Sequence, residues 1–104
     1  MIKYTASALA DIEAAYNWYE DQKEGLGDRF ITEVRETAAR IDVNPMGFEK
    51  RIKEARKANL RKFPYALWFL IKEENLVIAC LHAKRDMRLA RGRALGIVTR
   101  PDPN

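Results

Sequence analysis

The feature that most limits how this chain can fold is a pair of apolar runs, Tyr65-Ala66-Leu67-Trp68-Phe69-Leu70-Ile71 and Leu76-Val77-Ile78-Ala79-Cys80-Leu81, separated by polar Lys72-Glu73-Glu74-Asn75. Both runs are short and rich in β-branched and aromatic residues, so together they read as a β-hairpin of about 18 residues. Pro64 has no N–H to donate and fits the entry of the first strand. Tyr65, Leu67, Phe69 and Ile71 fall on one parity and Trp68 and Leu70 on the other, so both faces of the hairpin are apolar and both need a cover.

The N-terminal half supplies one cover. Ile2-Lys3-Tyr4 alternates as a short edge strand does, and Ser7 stands where a helix N-cap would, with Asp11 and Glu13 in the first turns. Leu9, Ile12, Tyr16 and Tyr19 recur at helical spacing, which predicts a helix over 8–23 ended by Gly25 in a left-handed cap. Phe30, Val34, Ala38 and Ile41 repeat the spacing until Asn44-Pro45 stops it. Two helices joined by so short a link form an antiparallel hairpin. From residue 46 the pattern lapses, and Arg51 to Lys62 reads as a basic loop leading into the strands. The expected fold is α+β: a short strand and a two-helix hairpin packed on a small antiparallel sheet, in a single domain over 1–104.

Such a hairpin covers one face of the sheet only. A partner protein or a second copy of the chain is the expected cover of the face carrying Trp68 and Leu70, the alternative being that Met87 to Val98 folds back over it.

Composition removes several function classes. No apolar run is long enough to cross a membrane, and no apolar signal core follows Met1, so a cytoplasmic protein is expected. One cysteine, Cys80, and one histidine, His82, make neither an internal disulfide nor a Cys/His metal set, so no metal and no cofactor are expected. Charge is divided: residues 1–48 hold 5 Lys/Arg against 9 Asp/Glu, and residues 49–104 hold 14 against 6. A basic half suits phosphates or acidic protein segments, although surface Lys and Arg also serve solubility alone.

Among single residues, His82 ends an apolar strand with no nucleophile beside it and reads as structural more readily than as an acid–base group. Cys80 reads as a small core residue and Trp18 as packing or interface. Arg61 and Lys62 precede the Phe63-Pro64-Tyr65 turn, in position to share a groove with Arg85 or to lie on a solvated strand face. Arg85, Arg88 and Arg91 are spaced to share a helical face, against which Gly92 and Gly96 argue. Arg93 extends the same basic stretch.

The order of these parts, with Ala10-Asp11-Ile12, Tyr16, Tyr19, Gly25-Leu26-Gly27 before Phe30, Asn44-Pro45, Leu60-Arg61-Lys62-Phe63-Pro64-Tyr65 and His82-Ala83-Lys84-Arg85-Asp86, resembles the RelE/ParE superfamily of type II toxins, closer to its ParE branch. The resemblance spans nearly the whole chain. It implies a toxin that causes growth arrest, is tied to plasmid stabilization, and is neutralised by a cognate antitoxin. On the ParE side it implies inhibition of DNA gyrase with no catalytic residue in the toxin. Arg61, Lys62, Lys84, Arg85, Arg88 and Arg91 are then the expected target-binding residues, with Trp68 and Leu70 meeting the antitoxin and a homodimer forming without it. The RelE side implies a ribosome-dependent mRNA endonuclease. For that reading Arg85 matches a basic position, but Ala66 stands where those nucleases carry an arginine and Arg91 where they carry a tyrosine. A family member that has lost toxicity and only binds its antitoxin is the third reading.

Overall fold

The computed structural model describes residues 1–96 of the chain. In chain order it has strand β1 (Ile2–Tyr4), helices α1 (Ala6–Gln22) and α2 (Leu26–Val43), strands β2 (Lys50–Ile52), β3 (Ala55–Asn59), β4 (Tyr65–Ile71) and β5 (Asn75–His82), and helix α3 (Met87–Leu95). The strands form one sheet in the order β1-β5-β4-β3-β2. The architecture is α+β, but the sheet is mixed and not purely antiparallel, because β1 lies parallel to β5 with Ile2 opposite Asn75 and Tyr4 opposite Val77. A strand at the start of the chain and one near its end run side by side in the same direction, a pairing that local sequence pattern does not encode.

Helix α1 begins two residues earlier than the serine suggests. Thr5, not Ser7, is the N-cap: it is extended after β1, and its hydroxyl accepts the Ala8 N–H at 3.1 Å. Nor does Gly25 end this helix. Lys23 is its C-cap, and Gly25, at φ 89°, is the N-cap residue of α2. Glu20 ties the two helices, its carboxylate accepting the N–H groups of Gly25 and Gly27, both at 2.9 Å. The α1 stripe is shifted as well: Ala8 and Ala15 are buried, whereas Leu9 is 53% exposed. On α2 the expected residues Phe30, Val34, Ala38 and Ile41 are all buried.

The segment expected to be a loop contains β2 and β3. Their tight turn holds Lys53 at φ 51°, where glycine or asparagine is usual, and β3 packs through small Ala55 and Ala58, so neither a turn signal nor an apolar stripe marks them. Between Trp68 and Phe69 the β4–β5 register shifts, so that Trp68 opposes Ala79 and Phe69 opposes Val77. This bulge sends Ile78 and Ala79 to the same side of the sheet.

Two cores result. Leu67, Phe69, Val77 and Cys80 pack under the helical hairpin, and Trp68, Ile78, Ala79 and Leu81 pack with Ile52, Ala55 and Ala90 on the other side. The second face is therefore covered by the chain itself. Helix α3 runs straight through Gly92 and ends at Gly96 with φ 74°, laying Met87, Ala90 and Ala94 over Trp68. Ile97 and Val98, part of the segment considered as a cover, lie outside the described residues. Among the described residues no helix is long and apolar enough to cross a membrane.

Candidate target-binding surface

The open end of β5 positions the site. Strand β1 pairs only with Asn75 to Val77, which leaves the rest of that β5 edge without a neighbouring strand. Side chains occupy it instead. Asp11 on α1 accepts the Cys80 N–H at 3.0 Å, and Asp86 accepts the His82 N–H at 3.2 Å. Arg93 on α3 donates to Ile78 O at 3.2 Å and grips Asp11 through both guanidinium nitrogens. Arg93 and Asp11 are 14% and 12% exposed, so this is an inward ion pair that fastens α3 to α1 and not part of a basic surface.

Beside this edge runs an open groove of about 430 Å³, lined by Trp18, Tyr19, Tyr65, His82, Arg85 and Asp86 among others. Trp18 is 57% exposed and meets Tyr19 edge-on. Burial raises the pKa values of the Tyr19 and Tyr65 hydroxyls, while the Arg85 guanidinium pulls both down. His82 is held as a structural group: its Nδ1 accepts the backbone N–H groups of Lys84 and Arg85, each at 3.2 Å, and its ring stands edge-on to Tyr65. Cys80 is buried and its thiol is pushed up to about 12, first by burial and then by Asp11, which makes it inert.

The six cations expected to bind the target do not share one groove. Arg61 and Lys62 lie in the β3–β4 turn, where both of their backbone N–H groups donate to Glu33 Oε1 at 3.0 Å. Their exposed side chains border hollows on the α2 side with Glu33 and Glu36, away from the groove that holds Arg85. Arg85 precedes α3, so it shares no helical turn with Arg88 and Arg91, which are exposed on that helix. Lys84 is exposed in the turn after β5.

Two cations were missed by reading the sequence. Lys57 on β3 lies opposite Trp68 on β4 and donates to Ala83 O at 2.9 Å, with its ammonium 5.5 Å from the indole centroid. Its pKa is lowered, first by burial and then by the charges of Arg51 and Lys84. The other is Arg51 on β2, and alternation along β2 and β3 would have revealed both residues had those segments carried a strand signal.

Of the two residues expected at an antitoxin contact, Trp68 is 1% exposed beneath α3, and Leu70 is half-buried at the rim of the same face. Ala66, which departs from the nuclease pattern, is fully buried between β3 and β5. Asp11 and Asp86 are engaged in holding the β5 edge, so neither is poised as a base. The arrangement presents cations and aromatic rings for binding. Among the described residues no three His, Cys, Asp or Glu side chains gather as a metal set.

Comparison with known proteins gives this surface its context. Residues 2–87 match the family model described as the ParE toxin of the type II toxin-antitoxin system, parDE. No curated protein matches the chain. Among solved structures, a chain of the chromosomal ParDE toxin–antitoxin system of P. aeruginosa is similar in fold, with a TM-score of 0.63 at 19% identity, covering 80% of this chain and 95% of that one. With the family model spanning most of its length, this chain belongs to the ParE toxin family of type II toxin–antitoxin systems.

Proposed function

We propose that this chain inhibits bacterial DNA gyrase and so blocks replication, and that a cognate antitoxin holds it inactive in the cytoplasm. The observation that carries the reading is the ParE family match over residues 2–87. The similar chain from P. aeruginosa is described as part of a ParDE toxin–antitoxin system, which supports an antitoxin partner here. Exposed Lys84, Arg85, Arg88 and Arg91 around α3 are the residues proposed to meet the target, and Arg61 and Lys62 lie apart from them on the α2 side, beside Glu33 and Glu36. An antitoxin reaches Leu70 at the sheet rim directly and Trp68 only when α3 is displaced. Helix α3 covers Trp68, so a homodimer formed without the antitoxin would meet this face at Leu70 and the exposed Leu89 and Leu95.

Pulse labelling in the first minutes after induction without antitoxin tests the target. A fall in thymidine incorporation while methionine incorporation continues is the expected result. Methionine incorporation falling first would overturn the gyrase reading and place the target in translation.

A further inference from the structure

Arg51, Lys57 and Lys84 come from three separate segments, β2, β3 and the turn after β5. The bond from Lys57 Nζ to Ala83 O sets that ammonium beside Lys84, and Arg51, the bulged residue between the Lys50–Arg56 and Ile52–Ala55 pairs of neighbouring β2, lies near enough for its charge to act on Lys57. Burial and these two neighbours all push the Lys57 pKa down, and among the described residues no carboxylate offsets them. Among the described residues the ion pairs are made by the Met1 ammonium, Lys3, Lys50 and Arg93, none of them in this cluster. Three like charges gathered without a counter-charge repel one another, and that cost is relieved when an anion binds among them.

We propose that Arg51, Lys57 and Lys84 seat the phosphodiester backbone of nucleic acid. Two of the three are lysines, which bind phosphate as point charges, whereas a protein carboxylate is better matched by paired arginine forks. Lys57 is preorganised, with its ammonium over the Trp68 ring and one N–H bond already fixed. Trp68 itself is buried, so no base stacks on it and the contact is to backbone, independent of sequence. Exposed Arg88 and Arg91 on α3, which packs against β2 and β5, extend the positive track past one phosphate. The inference goes beyond the gyrase reading and stands or falls without it, since DNA alone is the probe.

The test is fluorescence anisotropy of the full chain with a labelled duplex of mixed sequence, titrated over a range of salt. Three phosphate contacts give a slope of log K against log salt of about −2.7 or steeper. The exposed pair Arg51→Gln/Lys84→Gln is expected to flatten the slope by about 1.8, and Lys57→Met by about 0.9, each lost contact weakening binding roughly eightfold at about 0.1 M salt. Thermal melts confirm folding, and if Lys57→Met fails to fold, the exposed pair still decides. The charge-matched control Lys23→Gln/Arg29→Gln, on the helical hairpin, is expected to leave the slope unchanged. An equal flattening by this control, or none from Arg51→Gln/Lys84→Gln, overturns the site. So does tighter binding of labelled polyglutamate than of duplex, which would make the cluster a seat for acidic protein.

Discussion

The two faces of one sheet are covered in different ways. On one side α1 and α2, of 17 and 18 residues, bring Phe30, Val34, Ala38 and Ile41 onto Leu67, Phe69 and Val77. On the other a helix of 9 residues covers Trp68 with Met87, Ala90 and Ala94, and its far end is tied down by the Arg93–Asp11 pair. The family match ends at residue 87, so it includes the whole helical hairpin and only the first residue of α3. Large side chains interlocking over two long helices make a cooperative core, whereas a short helix of small residues opens at a lower free energy. The hairpin face is thus built for permanence, and the α3 face is held by a strap.

The largest expected effect falls on the hairpin face. Phe30 is fully buried and stacks on Tyr19 with Phe63 and Tyr65 edge-on to it, so Phe30→Ala is expected to destabilise the chain by about 3–5 kcal/mol in urea unfolding. Its loss should raise hydrogen exchange throughout α2 and β4 together. Next comes the strap. Arg93→Met leaves the Asp11 carboxylate with only the Cys80 N–H, and because the pair retains some exposure the cost is set at roughly 2–3 kcal/mol, below that of a fully buried pair. Exchange should rise first in α3 while α2 stays protected. Equal loss of protection in α2 and α3 would show that the two faces form one cooperative unit.

The same contrast explains what the sequence made legible. The helical hairpin and the β4–β5 hairpin follow from apolar spacing because large residues repeat there at regular intervals, and Phe30 and Leu67 are buried as that spacing requires. Strands β2 and β3 were illegible because their turn places Lys53 at a positive φ and their inward residues are alanines. The need to cover Trp68 was readable, but the cover itself was obscured by Gly92 inside α3. As for the site, Lys84, Arg85, Arg88 and Arg91 are indeed exposed cations, whereas Arg93 carries the same charge and points inward. Its partner is 82 residues away, a distance at which charge pattern carries no information. Lys57 and Arg51 were hidden for the reason that β2 and β3 were.

Cys80 tests the seam between the faces, since it packs on the hairpin side while its N–H is held by the carboxylate that anchors α3. Its folded pKa of about 12, against 9.0 unperturbed, means that the folded chain keeps a proton the unfolded chain gives up. The raised pKa therefore contributes stability that is fully present below pH 9 and lost as pH rises towards 12. Wild type is expected to lose about 2 kcal/mol more than Cys80→Ala between pH 9 and about 10.5, by urea unfolding at each pH. Tyrosines titrate in both proteins and largely cancel in the difference. A constant gap between the two proteins would mean that the thiol is solvated and the seam open.

The smallest effect separates the faces most finely. Thr5→Ala removes the hydroxyl that accepts the Ala8 N–H, at an expected cost of about 1 kcal/mol by urea unfolding. The backbone bonds from Thr5 N to Val77 O and from Leu9 N to Thr5 O remain, so only the first turn of α1 is loosened. Asp11 lies in the following turn of α1 and carries the strap's anchor. If the two covers are independent, hydrogen exchange rises at the start of α1 and α3 is unchanged. If α3 loosens too, the anchor transmits fraying from one face to the other, and the strap's stability belongs to the helix it is tied to.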